Sequence, residues 1–398
     1  MDIMQLFESS QLLVEEVDLT YKRYLYQEID WDNRLIVIRG PKGVGKSTMI
    51  WQRMKEEFYQ SPQALYVSLD NIWFSTNSLV DLAHYFYTHG GTHLFLDEVH
   101  KYPNWIKEVK NIYDMYPKLH IIVTGSSMLN LSDSKLADIS RRRRQYDLAG
   151  LSFREFLHFE GLGDYKPLSL EELVANHYQL AAKVTKDIKV LPAFEKYLQV
   201  GFYPFYKEDL KGFSLRLQQV ITTVIESEIP AVGNLEYESV YKIKRLLGIL
   251  AQSTPYTLNL EDLAKAMGVA RNTLLKMLDL MDKAALIRRL FAKENMGGLK
   301  KPEKILFDNA NIMNALSPKA EIGTQRETFA ASLLSHAHEV FMPKDGDLLL
   351  DNGMLFEVGG KNKKFNQIKD LPSSYVLADD IESGFANRLP LWTLGFLY

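Results

Sequence analysis

The eight residues GPKGVGKS at positions 40–47 constrain this chain of 398 residues more than any other stretch. They match the pattern G-x-x-x-x-G-K-[ST], in which a glycine-rich loop holds phosphate groups. The apolar run 35–39 directly before them predicts a strand, and residues 48–55 directly after them predict a helix. A glycine-rich turn that matches by chance is the alternative, but strand, loop and helix in this order are what phosphate binding requires.

Each part of this loop has a predicted role in binding a nucleotide. The glycines let the backbone curl so that its N–H groups point inward at an anion, and the start of the helix adds partial positive charge. Lys46 places a mobile positive charge on the β- and γ-phosphates, and the Ser47 hydroxyl is a natural Mg²⁺ ligand. The expected cofactors are therefore ATP and Mg²⁺. The predicted cofactor-binding residues are Gly40, Pro41, Lys42, Gly43, Val44, Gly45, Lys46, Ser47 and Thr48.

A second element of this site is the run HLFLDE at positions 93–98, in which mostly apolar residues are followed by Asp97 and Glu98. The run predicts a buried strand whose carboxyl end meets the nucleotide. Asp97 is expected to hold the metal, directly or through water, and Glu98 to polarise the attacking water as a general base. The alternative is a strand end with solvated acids, which the position of the run after the phosphate loop disfavours.

A third strand is predicted at residues 119–124, followed by the turn 125–127. Thr124 and Ser126 are candidates for sensing the γ-phosphate or holding the lytic water, although the same residues also suit an ordinary turn. Residues 65–69 read as another strand. Short β runs separated by helical stretches predict a parallel sheet with helices on both faces and the nucleotide at its carboxyl edge.

Composition and length set limits on the class of protein. The length suggests two to four domains, and 46% apolar with 24% charged residues is ordinary for a globular chain. Because there are no cysteines, disulfides, thiolate zinc sites and a cysteine nucleophile are excluded. The first residues lack the features of a signal peptide, and no apolar run is long enough to span a bilayer. We expect a cytoplasmic protein without membrane contact.

Four arginines occur in the run SRRRR at positions 140–144. Such a run is usually a solvated basic edge. It also lies just beyond the third predicted strand, where an arginine could reach a γ-phosphate on its own or on a neighbouring subunit, because the planar guanidinium binds phosphate oxygens in pairs. Oligomerisation is therefore one of the expectations.

The order of these motifs resembles a known family. The phosphate loop, the run LDEVH, the run VTGSS, an arginine and the run LSFREF at positions 151–156 resemble the AAA-type P-loop ATP-binding proteins of bacteria and archaea that carry a C-terminal, nuclease-like domain of unknown function. The resemblance implies hydrolysis of ATP to ADP and phosphate with Mg²⁺, and a helical lid over the nucleotide. The ungapped comparison puts Arg141 at a family glycine and Arg142 at the family arginine, so Arg142 is the predicted arginine finger. His100 stands where the family often has glutamine.

The predicted fold is α/β, with a P-loop NTPase parallel sheet of the AAA/ASCE type. A helical lid, a winged helix-turn-helix and a small α/β nuclease-like domain follow it. The predicted domains span residues 1–150, 151–235, 236–305 and 306–398, in that order.

Residues 241–305 are basic, with thirteen Lys or Arg against six Asp or Glu. Three helical patterns with a central Gly268, and a strand pattern at 287–291, predict a helix-turn-helix with a wing. Positive charge on such a fold favours contact with the DNA backbone, and the alternative is a winged helix used for packing or protein contacts. The residues expected on the recognition helix and wing are Arg271, Asn272, Thr273, Lys276, Arg288, Arg289, Lys300 and Lys301.

The C-terminal segment resembles the PD-(D/E)xK nuclease fold that the family carries. The resemblance implies a second metal site formed by Glu327, Asp347 and Glu357, with a lysine two residues after the last acid. Gly359 occupies that lysine position, and the predicted replacement is Lys361. A degenerate fold kept for DNA or partner contacts is the alternative to an active nuclease.

Three functions are consistent with this sequence. The first is a Mg²⁺-dependent ATPase coupled to DNA or to a partner by the winged helix. The second is a switch that binds ATP tightly and turns over slowly, and the third is a nuclease that ATP regulates.

Overall fold

The structure is a computed structural model, and it describes residues 3–132, 139, 141–233, 237–252, 259–295, 300–319, 321–365 and 368–398. The chain forms two compact units. The first consists of Met1–Ala149 with Ser227–Leu235, and the second of Gly150–Glu226 with Glu236–Tyr398. The end of the predicted lid, residues 227–235, therefore clusters with the first unit. The division into four domains stays a prediction.

The first unit is built on a five-stranded sheet. Its strands are β1 (Leu35–Gly40), β2 (Ala64–Ser68), β3 (His93–Asp97), β4 (His120–Ser126) and β5 (Arg144–Asp147). All neighbouring pairs are parallel and the spatial order is β2-β3-β4-β1-β5. Since parallel strands end at the same edge, the phosphate loop after β1 and the acids at the end of β3 share one edge, with β4 between them. The predicted parallel sheet is confirmed.

The central strands of this sheet are mainly apolar because both of their faces are covered, whereas the edge strand β5 is polar and partly exposed. Leu35, Ile36, Val37 and Ile38 follow one another in β1, and each is almost completely buried. Consecutive buried residues point to opposite faces of a strand, so neither face is left to solvent.

The helices of both units follow in chain order. They are α1 (Ile3–Glu16), α2 (Leu25–Glu28), α3 (Lys46–Glu57), α4 (Leu79–Thr88), α5 (Trp105–Met115), α6 (Phe153–Phe159), α7 (Leu170–Asp187), α8 (Val190–Val200), α9 (Phe213–Thr223), α10 (Ile229–Gly233), α11 (Tyr237–Gln252), α12 (Leu260–Met267), α13 (Arg271–Lys283), α14 (Ala310–Leu316) and α15 (Ile322–Leu334). The first five and α10 lie in the first unit.

The run LSFREF has a structural explanation in the second unit. Ser152 caps α6: its hydroxyl accepts a hydrogen bond from the Glu155 amide at 3.2 Å, and the Glu155 carboxylate accepts one from the Ser152 amide at 3.2 Å. Such a reciprocal box fixes the start of a helix. The rings of Phe153 and Phe156 are fully buried and pack against Tyr197. The motif thus starts and anchors a helix.

The second unit contains two further sheets. A two-stranded antiparallel ribbon joins β6 (Ile287–Leu290) to β7 (Lys304–Phe307). The other sheet has the order β12-β11-β10-β9-β8. Its strands are β8 (Val340–Phe341), β9 (Leu348–Leu350), β10 (Leu355–Gly359), β11 (Ser374–Ala378) and β12 (Arg388–Pro390). Strands β9 and β10 are antiparallel and form a hairpin around Gly353.

No helix in the described part of the chain is long and apolar enough to cross a membrane.

Candidate nucleotide-binding site

The phosphate loop has the backbone that its glycines predict. Gly45 lies directly before α3 with a φ of 98°, in the left-handed region that favours glycine. A Cβ on Gly40 would stand 2.2 Å from the carbonyl oxygen of Leu148, so only glycine fits at the end of β1. The amides of the first turn of α3 have no acceptor within the helix and are available to an anion.

The predicted phosphate ligand Lys46 is held inside this loop. Its Nζ donates to the carbonyl oxygens of Gly40 and Pro41, both at 2.9 Å, and the residue is only 5% exposed. Burial lowers the pKa of Lys46, while the nearby carboxylates, Glu98 first among them, oppose this shift. The amine is thus positioned in the loop before any phosphate arrives.

Arg23 supports the loop from the side, and no sequence pattern pointed to it. This buried guanidinium donates through Nη2 to the carbonyl oxygen of Ala149 at 2.9 Å and through Nη1 to that of Val44. The two acceptors lie at the loop and directly after β5, so Arg23 ties the loop to the edge of the sheet. An arginine alone in the sequence gives no signal of such a role.

Asp97 is the centre of the hydrogen-bond network at the end of β3. Its Oδ2 accepts from the Ser47 hydroxyl at 2.6 Å and from the Tyr66 hydroxyl at 2.8 Å. Its Oδ1 accepts from the Thr124 hydroxyl and from the Glu98 amide, the latter at 3.0 Å. Asp97 is 2% exposed. The structure therefore brings together Ser47, Asp97 and Thr124, three residues predicted separately, and adds Tyr66.

The order of the strands explains this network. Strand β4 lies between β1 and β3, so Thr124 on β4 reaches the carboxylate at the end of β3. Tyr66 lies on β2, the other neighbour of β3, and is also buried. Asp97 is thus held from both neighbouring strands and from α3. A hydroxyl and a carboxylate held this way are the hard oxygen ligands that Mg²⁺ prefers, so these residues fit the expected cation.

Glu98 directly follows Asp97 in a strained conformation, with a φ of 52°. Its side chain is 20% exposed. Burial raises the pKa of Glu98, although the positive charge of Lys46 opposes the change. The backbone thus turns the Glu98 carboxylate out of the strand, and its role as a general base stays a prediction.

His100 packs next to Glu98 as a neutral side chain. Its Nε2 lies 3.3 Å from the Glu98 Oε2, but without hydrogen-bond geometry, so neither ring nitrogen has a partner among the described residues. Burial lowers the pKa of His100 to about 4, which keeps the ring uncharged at neutral pH. His100 therefore supplies a neutral polar group at the place where the resembled family often has glutamine.

A third carboxylate near the loop comes from a distant part of the chain. Glu228 is 2% exposed, and its Oε1 lies 3.8 Å from the Lys42 Nζ. Its charge also acts on Lys46 and His100. Sequence reasoning missed Glu228, because it lies far from every motif of the site.

The predicted arginine finger has a partner on its own unit. The Arg142 Nε donates to the Asp114 Oδ1 at 3.0 Å, and the guanidinium lies over the ring of Tyr113. Within the predicted run 140–144, Ser140 lies outside the described residues. The role of Arg142 as a finger stays a prediction.

The predicted metal site of the C-terminal segment needs a correction. The Glu357 carboxylate pairs with Lys363, not with Lys361, whose carbonyl accepts from Arg388. The chain turns back after β10, and the Lys363 side chain lies against Gly359, where an added Cβ would be 2.7 Å from it. Lys363 thus fills the space that a lysine at position 359 would occupy.

The three predicted carboxylates of that site are also not equivalent. Glu327 is bound by Lys304, and the Asp347 Oδ2 accepts from the Val358 amide at 2.7 Å. Among the residues that the structure describes, no group of three or more acids or histidines is arranged to hold a metal. The charges of Asp347 and Lys363 nevertheless act on Glu327, so the predicted residues are neighbours without forming a three-carboxylate site.

The basic residues of the predicted winged helix divide into two groups. Arg289 is buried and bound to Asp279 and Asp282, and Arg288 is bound to Asp308. The expectation that these two arginines line a basic wing is therefore wrong, because acids of the same unit neutralise them. The exposed predicted residues are Arg271, Asn272, Thr273, Lys276, Lys300 and Lys301. The predicted segment also contains residues 253–258 and 296–299, which lie outside the described ones.

Comparison with known families agrees with the geometry of the first unit. Residues 32–157 match the family model of the AAA domain. This supports a nucleotide-binding AAA P-loop protein. Residues 191–323 match a domain of unknown function, DUF8612.

Two curated relatives, both uncharacterized proteins of Methanocaldococcus jannaschii, are similar to this chain. MJ1637 is 28% identical over 77% of this chain and 65% of its own length. MJ1544 is 26% identical over 35% of this chain and 32% of its own length. The chain thus spans just under two thirds of the first relative and about one third of the second.

Three solved structures show partial likeness. The Saccharomyces cerevisiae Hsp104–ADP complex has a TM-score of 0.32 at 15% identity, over 71% of this chain and 41% of its own. AMPPCP-bound DnaA from Aquifex aeolicus has 0.26 at 15%, over 70% and 87%. A katanin chain from work on katanin self-assembly has 0.25 at 17%, over 41% and 58%. With TM-scores this low, neither fold nor function is inferred from them.

Proposed function

We propose that this protein is a Mg²⁺-dependent ATPase of the AAA type. The observation that supports this most is the convergence on Asp97 of hydroxyls from α3 and β4, beside a loop that already holds Lys46. A site for a triphosphate with its metal needs these parts at one edge of a sheet.

In the proposed reaction the loop amides and Lys46 bind the β- and γ-phosphates. Ser47 and Asp97 would hold Mg²⁺, which would supply neutralising charge to the phosphates. Glu98 takes the proton of the attacking water, and the Thr124 hydroxyl, now bound to Asp97, orients the carboxylate or the water. Arg142 is proposed as a finger toward a neighbouring subunit, for which it must leave Asp114.

We also propose that the second unit contacts nucleic acid. The exposed first turns of α13 carry Arg271, Asn272, Thr273 and Lys276, while the apolar face of the same helix is buried. None of the ion pairs found among the described residues involves Arg271 or Lys276, so both charges are free for phosphates. Because Arg288 and Arg289 are already neutralised, the proposed contact rests on α13, with Lys300 and Lys301 beside it.

A second candidate function is metal-dependent phosphodiester hydrolysis in the second unit. The Glu357 Oε2 is buried and has no hydrogen-bond partner among the described residues. It borders a cavity of about 440 Å³ that Lys344, Asp347 and Lys363 also line. Burying a carboxylate oxygen without a partner costs free energy, and a cation bound at Oε2, beside the pair that Oε1 forms with Lys363, would reduce this cost. Mg²⁺-dependent cutting of DNA that Glu357→Gln abolishes, with ATP turnover unchanged, would establish this function.

One assay separates the proposed ATPase from its rivals. Release of phosphate from ATP is followed at steady state with and without Mg²⁺, and with and without double-stranded DNA. Turnover that requires Mg²⁺ and rises with DNA supports the ATPase coupled to DNA. Tight retention of ATP without turnover supports the slow switch and contradicts the proposal.

A further inference from the structure

Residues 227–235 belong to the first unit although the chain before and after them belongs to the second. The chain enters this segment through a π-helical turn, Val224–Glu228, a rare geometry that often accompanies functional positions. The Lys101 Nζ donates to the Ser227 hydroxyl, and α10 packs against the turns 99–101 and 127–132. Those turns follow β3 and β4, the strands that carry Asp97 and Thr124. The segment is therefore seated at the nucleotide site.

Glu228 is the charged group that this segment brings to the site. Its carboxylate is buried, lies 3.8 Å from the Lys42 Nζ, and acts electrostatically on Lys46 and Glu98. In the proposed reaction Lys46 binds phosphates, Asp97 binds the metal and Glu98 activates the water. That reaction assigns no role to Glu228. Glu228 thus places a negative charge beside Lys42 and Lys46, the two lysines of the loop. A phosphate group of the proposed nucleotide would place a negative charge in the same position.

We propose that Glu228 is a specificity-determining residue that competes with the γ-phosphate for the lysines of the loop. This inference rests on the proposed binding of ATP at this site. A carboxylate and a γ-phosphate near the same lysines repel each other, and in a buried site solvent screens this repulsion little. ATP must therefore displace Glu228, whereas ADP, which lacks the γ-phosphate, leaves it in place. Glu228 lowers the affinity for ATP more than that for ADP.

The displacement has a consequence beyond the site. Because residues 227–235 continue at both ends into residues of the second unit, moving Glu228 away from Lys42 moves a segment that is joined covalently to that unit. The arrival or loss of a γ-phosphate is then transmitted along the chain through Ser227 and α10.

The first test compares Glu228→Gln with the wild type by calorimetric titration of Mg-ATP and Mg-ADP. The amide keeps the shape of the side chain and removes its charge. We expect the affinity for ATP to rise at least about fivefold, the lower end of usual coupling between sites, and the affinity for ADP to stay within about twofold. The matched control is Glu226→Gln, two residues earlier, where an exposed carboxylate is bound to Lys244; both affinities should stay unchanged.

The second test follows the segment in the protein with Glu228 intact. The chain has no cysteine, so Ala231→Cys gives one labelling position on the exposed side of α10. An environment-sensitive fluorophore there should change its emission with Mg-ATP and not with Mg-ADP. Because this measurement uses the protein with Glu228 intact, it tests the proposed displacement even if Glu228→Gln fails to fold.

Two results would contradict the inference about Glu228 without contradicting the proposed ATPase function. One is equal improvement, or none, in ATP and ADP affinity for Glu228→Gln; the other is a label at position 231 that responds identically to both nucleotides. If the wild type binds neither nucleotide, the proposed function fails and the inference fails with it.

Discussion

The hydroxyl of Ser47 donates a hydrogen bond of 2.6 Å to the carboxylate of Asp97. These residues lie in different motifs, at the start of α3 and at the end of β3, and the bond makes them one site. A metal entering there finds both oxygens already oriented, which reduces the entropy lost on binding. The proposed hydrolysis of ATP depends on this contact between Ser47 and Asp97.

Glu98→Gln should bind Mg-ATP like the wild type and lose at least about a hundredfold in turnover, because the amide cannot accept the proton of the attacking water. Phosphate release and nucleotide binding are measured on the same preparation. Glu57→Gln, which removes an exposed carboxylate at the end of α3, serves as the control and should keep full turnover. Unchanged turnover in Glu98→Gln would remove Glu98 as the base.

Tyr66→Phe should raise the Mg²⁺ concentration for half-maximal turnover about tenfold, the lower range for groups that orient a metal ligand. The phenol donates to Asp97 at 2.8 Å, and phenylalanine keeps the ring while removing that donor. Tyr102→Phe makes the same change at a tyrosine bonded to Glu108 and should leave the Mg²⁺ dependence alone. If both variants titrate like the wild type, Tyr66 has no positioning role.

Arg271→Ala combined with Lys276→Ala should weaken binding of duplex DNA and flatten its dependence on salt. Two lost phosphate contacts lower the slope of log affinity against log salt by about 1.8. Binding is measured by fluorescence anisotropy at several salt concentrations. The control, Lys186→Ala with Lys189→Ala, removes two exposed lysines at the end of α7 and after it. A wild type without affinity for DNA at low salt would contradict the nucleic-acid proposal.

The first unit should lose stability in mild acid through His93. Burial lowers the pKa of His93 to about 4 from an ordinary 6.5, so the unfolded chain binds the proton more readily. Between those values stability therefore falls as the pH falls. His93→Phe keeps an aromatic ring at the place where His93 stacks on His120 and lies tilted against Phe58, and it should make the fall shallower.

Tryptophan fluorescence during urea unfolding measures this effect, since four of the five tryptophans lie in the first unit. His89→Phe, at an exposed histidine, is the control and should keep the wild-type slope from pH 6.5 to 4. Identical slopes in all three proteins would show that His93 does not contribute.

The sequence predicts those residues of the site that belong to a recognisable pattern of neighbouring residues. Lys46 follows from the glycine pattern and Asp97 from an apolar run that ends in acids, and the structure places both at the same edge of the sheet. Tyr66 is different, because an aromatic residue in an apolar strand gives no sign of which carboxylate its hydroxyl reaches. Arg23 and Glu228 were missed for the same reason, since their partners lie far from them in the chain.

The distribution of charged residues in the sequence gives a wrong prediction where the folded chain pairs basic side chains with acids of the same unit. Arg288 and Arg289 looked like a basic wing, but their acidic partners come from α13 and from the residue after β7. The sequence predicts Lys361, four residues after Glu357, as the lysine beside that carboxylate. The chain reverses direction at Gly359 and Gly360, so Lys363 arrives instead. The number of residues between two positions predicts whether their side chains share a face within one strand. It does not predict this when a turn lies between them.

Calorimetric titration of Mg-ATP into the wild type and into Lys46→Ala tests the central proposal most directly. Lys118→Ala, at an exposed lysine of the same unit, is the control. We expect one ATP per chain, the same affinity in the control, and an affinity about a hundredfold lower in Lys46→Ala, as expected for the loss of a buried charged contact. No heat on mixing with the wild type, or equal affinity in Lys46→Ala, would contradict the proposal that the loop of residues 40–47 binds the nucleotide.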